Sequence, residues 1–123
     1  MAGQDRRLRP RLAGPMMAFW LPAEDNALRE RAASSASGRA ARTLVKHGSL
    51  RVALVALRKG AVLRAHAVAA PVSIQTLRGS AKIAVKERQK EVLAGGLVTL
   101  GPREVHTVEA LQDCAILVTV AMP

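Results

Sequence analysis

The sequence predicts an all-β barrel that is preceded by one short helix. After Gly48, short apolar runs are separated by turn residues at intervals that suit a barrel. No helical periodicity of apolar residues continues beyond that glycine. A length of 123 residues corresponds to one domain, and half of the residues are hydrophobic, which is enough for a core. We therefore expect a single barrel domain.

The chain before the barrel is expected to have two parts. Residues 1–15 are expected to be a disordered extension, and residues 16–40 an arm that contains the helix. Pro22 suits the first turn of a helix, and the serine-rich run that ends at Gly38 stops it. The barrel itself is expected over residues 41–123.

About nine short strands are predicted in the barrel. They cover residues 42–46, 50–57, 61–68, 72–77, 81–86, 91–93, 97–100, 106–110 and 114–121. Gly60 and Gly79 mark two of the turns, because glycine adopts a positive φ without steric cost. Residues 87–90 are all polar, and we expect them to form a charged turn exposed to solvent.

The net charge of +10 raises the question of a nucleic-acid partner. Residues 1–48 carry nine basic against four acidic residues, and the remainder carries ten against five. The charge is therefore spread evenly, and no basic run is interleaved with aromatic residues. This pattern favours a solvated basic surface over nucleic-acid binding, although the basic tip at Arg6–Arg11 leaves nucleic-acid association open as an alternative.

The remaining composition bounds the chemistry and the location. Cys114 is the only cysteine, so no intrachain disulfide can form, and its apolar neighbours predict a packed, unreactive thiol. Phe19 and Trp20 are the only aromatic residues, so a pocket in the barrel has no stacking platform. No run of about 20 apolar residues is present, and we expect a cytoplasmic protein that makes no use of a membrane.

Two histidines occur in spaced motifs. In the first motif, Gly60 is followed by His66 and then by Gly79; in the second, Gly95 is followed by His106. These spacings resemble the two sequence motifs of the cupin superfamily, and the chain is similar to small, single-domain bacterial cupins of uncharacterised function. The resemblance implies a double-stranded β-helix, or jelly-roll, barrel. It also implies that both histidines point into the barrel, and that the protein is a homodimer.

The motifs depart from the cupin pattern at two positions. Val68 stands where a second histidine is usual, and Val72 stands where a glutamate is usual. His66 and His106 are then the only metal ligands that the resemblance leaves. Two imidazoles seldom hold a metal against water, so we expect no resident cofactor and at most a weakly bound divalent transition metal.

The resemblance also defines a candidate ligand pocket inside the barrel. Its expected residues are His66, Val68, Val72, Ile74, Thr76 and His106. With Arg64 and Arg103 around the mouth, such a pocket would suit a small anionic or amphipathic molecule. His47 stands in a turn signal and is expected to be plain surface.

Two functions are weighed for this pocket. The first is a cupin-like small-molecule-binding or regulatory protein without a complete catalytic metal site. The alternative is a cupin enzyme, metal-dependent or metal-free, that acts as a dioxygenase, isomerase or lyase through His66 and His106. The lost ligands disfavour the dioxygenase, and no orienting carboxylate stands at a matched position for a metal-free general base.

Overall fold

The computed structural model describes residues 11–65 and 68–123. Over these residues the chain forms one helix and nine strands, in agreement with the all-β prediction. The elements are α1 (Leu21–Ser34), β1 (Arg39–His47), β2 (Leu50–Leu57), β3 (Val62–Ala65), β4 (Val72–Arg78), β5 (Ser80–Val85), β6 (Arg88–Leu93), β7 (Leu97–Leu100), β8 (His106–Ala110) and β9 (Cys114–Ala121). No helix in this part of the chain is long and apolar enough to cross a membrane.

The strands form two antiparallel sheets. The large sheet has the order β1-β2-β9-β4-β7, and the small sheet has the order β3-β8-β5-β6. Consecutive strands form the hairpins β1–β2 and β5–β6. Other neighbours come from distant parts of the sequence, since β2 pairs with β9 and β3 pairs with β8. Each sheet has an apolar face that must be buried, and the two sheets bury these faces against each other.

The core between the sheets is aliphatic. Its buried members are Val55, Leu57, Ala61, Val72, Ile74, Ala81, Ile83, Val92, Val108, Ala110, Cys114 and Ile116. They occupy alternate positions along their strands, as the two-residue period of a β-strand requires. Each fully buried Leu, Ile or Val contributes about 1.5–3 kcal/mol to stability relative to an exposed one. The barrel is therefore stabilised without any aromatic side chain.

Helix α1 covers the outer face of the large sheet. Leu28 and Ala32 are buried one turn apart on the helix, and they pack against Leu44 of β1 and Leu54 of β2. This spacing places an apolar stripe on one side of the helix. The large sheet is thus buried on both faces where the helix lies, while the opposite side of the helix faces solvent.

The predicted bounds of the extension, the arm and the barrel can be compared with the elements of the structure. The first ten residues of the predicted extension 1–15 lie outside the described part of the chain. Leu12 lies beside β1, and its carbonyl accepts a hydrogen bond from the Lys46 amide at 2.8 Å. Strand β1 begins at Arg39, two residues before the predicted barrel limit at 41. His47 is exposed at the end of that strand, as predicted.

The prediction of a charged turn over residues 87–90 was wrong. Val85 pairs with Arg88, so the hairpin between β5 and β6 turns through only two residues. Lys86 takes the first of these positions with φ 54°, the left-handed conformation that matches a tight hairpin to the twist of its strands. Residues 88–90 belong to β6, because an edge strand tolerates polar side chains on its exposed side.

A buried ion pair joins the helix to the barrel. The register of β4 against β9 shifts between Thr76 and Arg78, which marks a β-bulge. Arg78 donates two hydrogen bonds to the Asp25 carboxylate of α1, Nε to Oδ2 at 2.8 Å and Nη2 to Oδ1 at 3.1 Å. The hydrogen bond with Asp25 raises the pKa of Arg78 above its ordinary value. Asp25 is buried, so each charge depends on the other.

We predict that Arg78→Met lowers the free energy of unfolding by about 3 kcal/mol, because it leaves the buried Asp25 carboxylate without its cation. Urea denaturation measures the change. The matched control is Arg42→Met. It breaks the more exposed ion pair between Arg42 of β1 and Glu24 of the same helix. That variant should cost less than about 1 kcal/mol. Equal losses in the two variants would contradict the special role of Arg78.

Candidate functional site

His106 lies on the inner face of the small sheet at the start of β8. It is 6% exposed and shares that face with Val108 and Ala110. Its Nδ1 lies 3.2 Å from the carbonyl oxygen of Glu104. A carbonyl can only accept, so Nδ1 carries the proton in this hydrogen bond. In the neutral ring, Nε2 then keeps a lone pair that can accept a proton or a hydrogen bond.

Three other predicted pocket residues follow one another on the inner face of β4. Val72, Ile74 and Thr76 are all buried, and the residues between them are partly exposed. Val72 and Ile74 pack in the core between the sheets. Thr76 is fully buried, and within the described residues its Oγ1 has no hydrogen-bond partner. These side chains line the interior as packed walls.

The other two predicted pocket residues belong to the segment that connects β3 to β4. Val68 is half-buried there, and its carbonyl accepts a hydrogen bond from the Arg103 amide at 2.7 Å. His66 lies outside the described residues. The predicted convergence of the two imidazoles therefore falls on a part of the chain that the structure does not describe.

The described residues around His106 do not form a metal-binding group by themselves. Over residues 11–65 and 68–123, no group of three or more His, Cys, Asp or Glu side chains is placed to hold a metal ion. Val68 and Val72 offer no donor atom, whereas the carbonyl of Glu104 holds the Nδ1 of His106 and leaves its Nε2 lone pair available. His66, the other predicted ligand, lies outside the described residues, so the weak two-histidine metal site stays a prediction.

A cavity of about 520 Å³ opens between the two sheets, where edge strand β6 faces edge strand β7. It is lined by Ile83, Val85, Lys86, Glu87, Arg88, Gln89, Lys90, Val98, Thr99, Leu100, Gly101 and Glu104. The inner wall is aliphatic and continues the barrel core. Lys86 and Glu104 belong to two loops that border the cavity, and the Nζ of Lys86 lies 4.0 Å from the Oε2 of Glu104. The backbone carbonyl of Glu104 also accepts the hydrogen bond from His106, so the cavity lies close to His106.

Two cations lie on the inner-face positions of β6. Arg88 pairs with Val85 and Lys90 pairs with Ile83, and paired residues of antiparallel strands share one face of the sheet. Both line the cavity. Sequence reasoning missed them because it assigned residues 87–90 to a turn. The available signal was their two-residue spacing from the buried Val92.

The two arginines expected around the mouth of the barrel lie in different parts of the structure. Arg64 pairs with Thr107, one position from Leu63, which packs against the core. Arg64 is exposed on the outer face of the small sheet, so its expected place at the mouth was wrong. Arg103 is exposed in the loop before β8 and has φ 65°, a conformation that non-glycine residues rarely adopt.

Two further clefts flank α1, with volumes of about 290 and 610 Å³. Both are lined in part by Arg29 and Arg78. The guanidinium of Arg78 is held by Asp25, and Arg58 donates to the carbonyl of Ala33 near the end of the helix. These polar groups fasten the helix to the barrel, so we assign the clefts to packing.

Cys114 is fully buried at the start of β9, as the sequence predicted. Burial raises the pKa of its thiol to about 11, and the nearby Arg78 opposes this shift only in part. The thiol therefore stays protonated at neutral pH. A nucleophile or a metal ligand needs the thiolate, so Cys114 is a packing residue.

We predict that the Cys114 thiol makes folding sensitive to alkaline pH. Between its ordinary pKa of 9.0 and the folded value of about 11, the unfolded chain loses the thiol proton while the folded chain keeps it. The unfolded state then binds fewer protons than the folded state. The contribution of the thiol to the free energy of unfolding is therefore complete below pH 9 and is lost as the pH rises toward about 11.

The measurement is the difference in free energy of unfolding between the natural protein and Cys114→Ala. It should fall by about 2 kcal/mol from about pH 8 to about pH 11. The alanine variant removes the thiol titration and leaves that of every lysine, so surface charges cancel in the difference. A difference that does not vary with pH would contradict the shift.

Comparison with known proteins identifies the fold. At the sequence level, no family profile and no curated protein matches the chain. Among solved structures, a conserved protein of unknown function from Streptococcus pyogenes has a TM-score of 0.71 at 19% identity, over 93% of this chain and 94% of that one. An RmlC-like cupin protein from Desulfovibrio desulfuricans has a TM-score of 0.62 at 17% identity, over 68% of this chain and 81% of that one.

A salicylate 1,2-dioxygenase from Pseudoaminobacter salicylatoxidans has a TM-score of 0.78 at 17% identity. The match covers 93% of this chain and 37% of the dioxygenase, so this chain corresponds to a little more than a third of that protein. Identities this low establish the architecture alone. The chain is a cupin-fold domain with a jelly-roll barrel, as its two spaced motifs predicted.

Proposed function

We propose that this cupin-fold protein binds a small molecule in its barrel and acts as a binding or regulatory protein without a complete catalytic metal site. The observation that carries the proposal is the cavity of about 520 Å³ between the sheet edges. Its volume lies in the range of pockets that hold small ligands. Most of its exposed wall area is apolar, as in such pockets, and charged side chains border it.

The residues that replace the usual metal ligands support a binding role. Val68 and Val72 contribute only apolar surface, and Val72 packs in the aliphatic core. A barrel of this composition favours burial of an apolar group over the coordination of an ion. Of the predicted pocket residues, Val68, Val72, Ile74, Thr76 and His106 are not among the described residues that line the cavity. We propose that they form, together with His66, the deeper interior of the same barrel, behind the cavity.

A metal-free enzyme is the second candidate. The observation that favours it is the Nε2 of His106, whose lone pair could accept a proton from a bound molecule. A histidine base is usually oriented by a carboxylate, whereas His106 is held by a backbone carbonyl. The binding role needs no such partner, so we place it first.

We predict that the dye anilinonaphthalene sulfonate binds one site per folded chain, and that Leu100→Trp abolishes this site. Leu100 is an inner-face residue that lines the cavity, so an indole ring there fills the space. Dye fluorescence titration measures the binding. The matched control is Leu97→Trp on the same strand, whose side chain lies on the opposite face and is 61% exposed.

His106→Ala extends the same titration. We expect it to unfold cooperatively and to bind the dye with altered affinity, because it enlarges the interior beside the cavity. A loss of several kcal/mol of stability with unchanged dye binding would make His106 a structural residue. Dye binding that survives Leu100→Trp unchanged would overturn the binding role of the cavity.

We further propose that the protein is a homodimer that pairs through the turn between β6 and β7. Leu93 and Leu97 flank this turn, and each is 61% exposed. The turn lies at the opposite end of both strands from Lys86 and Gly101, so pairing there leaves the cavity open. Two large exposed apolar side chains on edge strands favour contact with a second copy.

We predict that the double variant Leu93→Lys and Leu97→Lys is a monomer, because charge repulsion opposes pairing of two identical surfaces. Size-exclusion chromatography with light scattering measures the mass. The control is Val105→Lys, which adds a lysine at an apolar position that is also exposed, at 64%, beyond the other end of β7. A natural protein that is monomeric, or a dimer that survives both leucine substitutions, would refute this interface.

A further inference from the structure

The inner face of β6 changes character along its length. Val92 is buried in the core, and the next two inner-face positions toward the hairpin turn are Lys90 and Arg88. Their neighbours on β5, at the same face, are apolar: Ile83 beside Lys90 and Val85 beside Arg88. The cavity therefore combines an aliphatic wall with the two cations Arg88 and Lys90. Lys86, Glu87 and Glu104 also line it, and Lys86 is paired with Glu104.

These two cations have no carboxylate partner in the described structure. Four ion pairs form within 4.0 Å over residues 11–65 and 68–123, and none involves Arg88 or Lys90. By contrast, Lys82 on the outer face of the same sheet lies 3.3 Å from Glu109. The inner-face cations are thus available to an anion that enters the cavity.

The aliphatic wall of the cavity determines which apolar group of a ligand can pack against it. Ile83, Val98 and Leu100 present only methyl and methylene groups. The chain has one Phe, one Trp and no Tyr, and Phe19 packs beneath the helix while Trp20 is exposed beside it. Among the described residues, no Phe, Trp or Tyr ring lines the cavity to stack on a base, a sugar or a flat ring. A flexible aliphatic chain fits this wall better than any of those groups.

We propose that the cavity binds an amphiphilic aliphatic carboxylate, with its acyl chain against Ile83, Val98 and Leu100 and its carboxylate held by Arg88 and Lys90. This proposal rests on the proposed function and names the class of ligand. The planar guanidinium of Arg88 can donate two parallel hydrogen bonds to a carboxylate, and Lys90 adds a second positive charge. Burial of the chain supplies affinity, and the cations supply selectivity.

A different role exists for charges that point inward from an edge strand. Such charges prevent the edge from pairing with another sheet, because pairing would bury them. In that role, Arg88 and Lys90 would control aggregation and would have no preference for an anionic ligand. The two roles therefore differ in a measurable way.

The experiment compares three molecules with the same tail: octanoate, octanol and octylammonium. Isothermal titration calorimetry on the natural protein should give affinities in the order octanoate, octanol, octylammonium. We expect octanoate to bind about tenfold more tightly than octanol, as hydrogen bonds to charged groups imply. Raising the salt concentration should narrow this gap, since the cations are accessible to solvent.

The double variant Arg88→Gln and Lys90→Gln should remove the preference for octanoate and leave octanol binding within about twofold. The control Lys82→Gln makes the same kind of change on the outer face of the small sheet and should leave all three affinities unchanged. The natural protein alone already tests the order of affinities, so the proposal stays testable if the double variant fails to fold.

The outcomes separate this proposal from the proposed function. If the dye site is lost in Leu100→Trp but octanoate binds no better than octanol, the cavity binds ligands and the carboxylate assignment is wrong. If the double variant aggregates while its preference for octanoate persists, the cations guard the edge and the assignment is also wrong. If neither the dye nor any of the three molecules binds, both proposals fall.

Discussion

The burial of small aliphatic side chains between two facing sheets is the constraint on which the rest of this molecule depends. With no aromatic ring in the barrel, the core must be filled by many Val, Leu, Ile and Ala side chains in close contact. Because these side chains are small, neighbouring backbone segments approach each other closely. At Gly79, which has φ +71°, an added Cβ would lie 2.2 Å from the carbonyl oxygen of Asp113. Only glycine fits there, so the hairpin between β4 and β5 depends on it.

The same constraint explains where polar groups are allowed inside. Thr76 is fully buried beside the bulge in β4, and the described part of the chain gives its hydroxyl no partner. His106 enters the interior only where the backbone carbonyl of Glu104 accepts a hydrogen bond from its Nδ1–H. Arg88 and Lys90 occupy inner-face positions only at the open end of an edge strand, where water reaches them. Apart from Thr76, these polar side chains lie at or beside the cavity, since His106 pairs with Val85 of the cavity wall.

The helix adds a second, more polar contact to the large sheet. Leu28 and Ala32 bury its apolar stripe, and the pair between Asp25 and Arg78 fixes where the helix sits along the strand ends. A hydrophobic contact is roughly proportional to area and tolerates sliding, whereas a two-bond contact between a guanidinium and a carboxylate does not. The bulge that redirects Arg78 is therefore part of how the helix is placed.

Alternation and turn residues are local signals, so they predicted the succession of nine strands, an all-β barrel and the burial of Cys114. The jelly-roll class was implied by the resemblance of the two histidine motifs to those of cupins. Four strands, β2, β7, β8 and β9, begin and end at the predicted residues. Tertiary structure alone decided which strands meet across the barrel, and with them the ion pair between residues 25 and 78. It also decided that Arg88 and Lys90 share a cavity with Val98, since pairing between distant strands leaves no trace in local spacing.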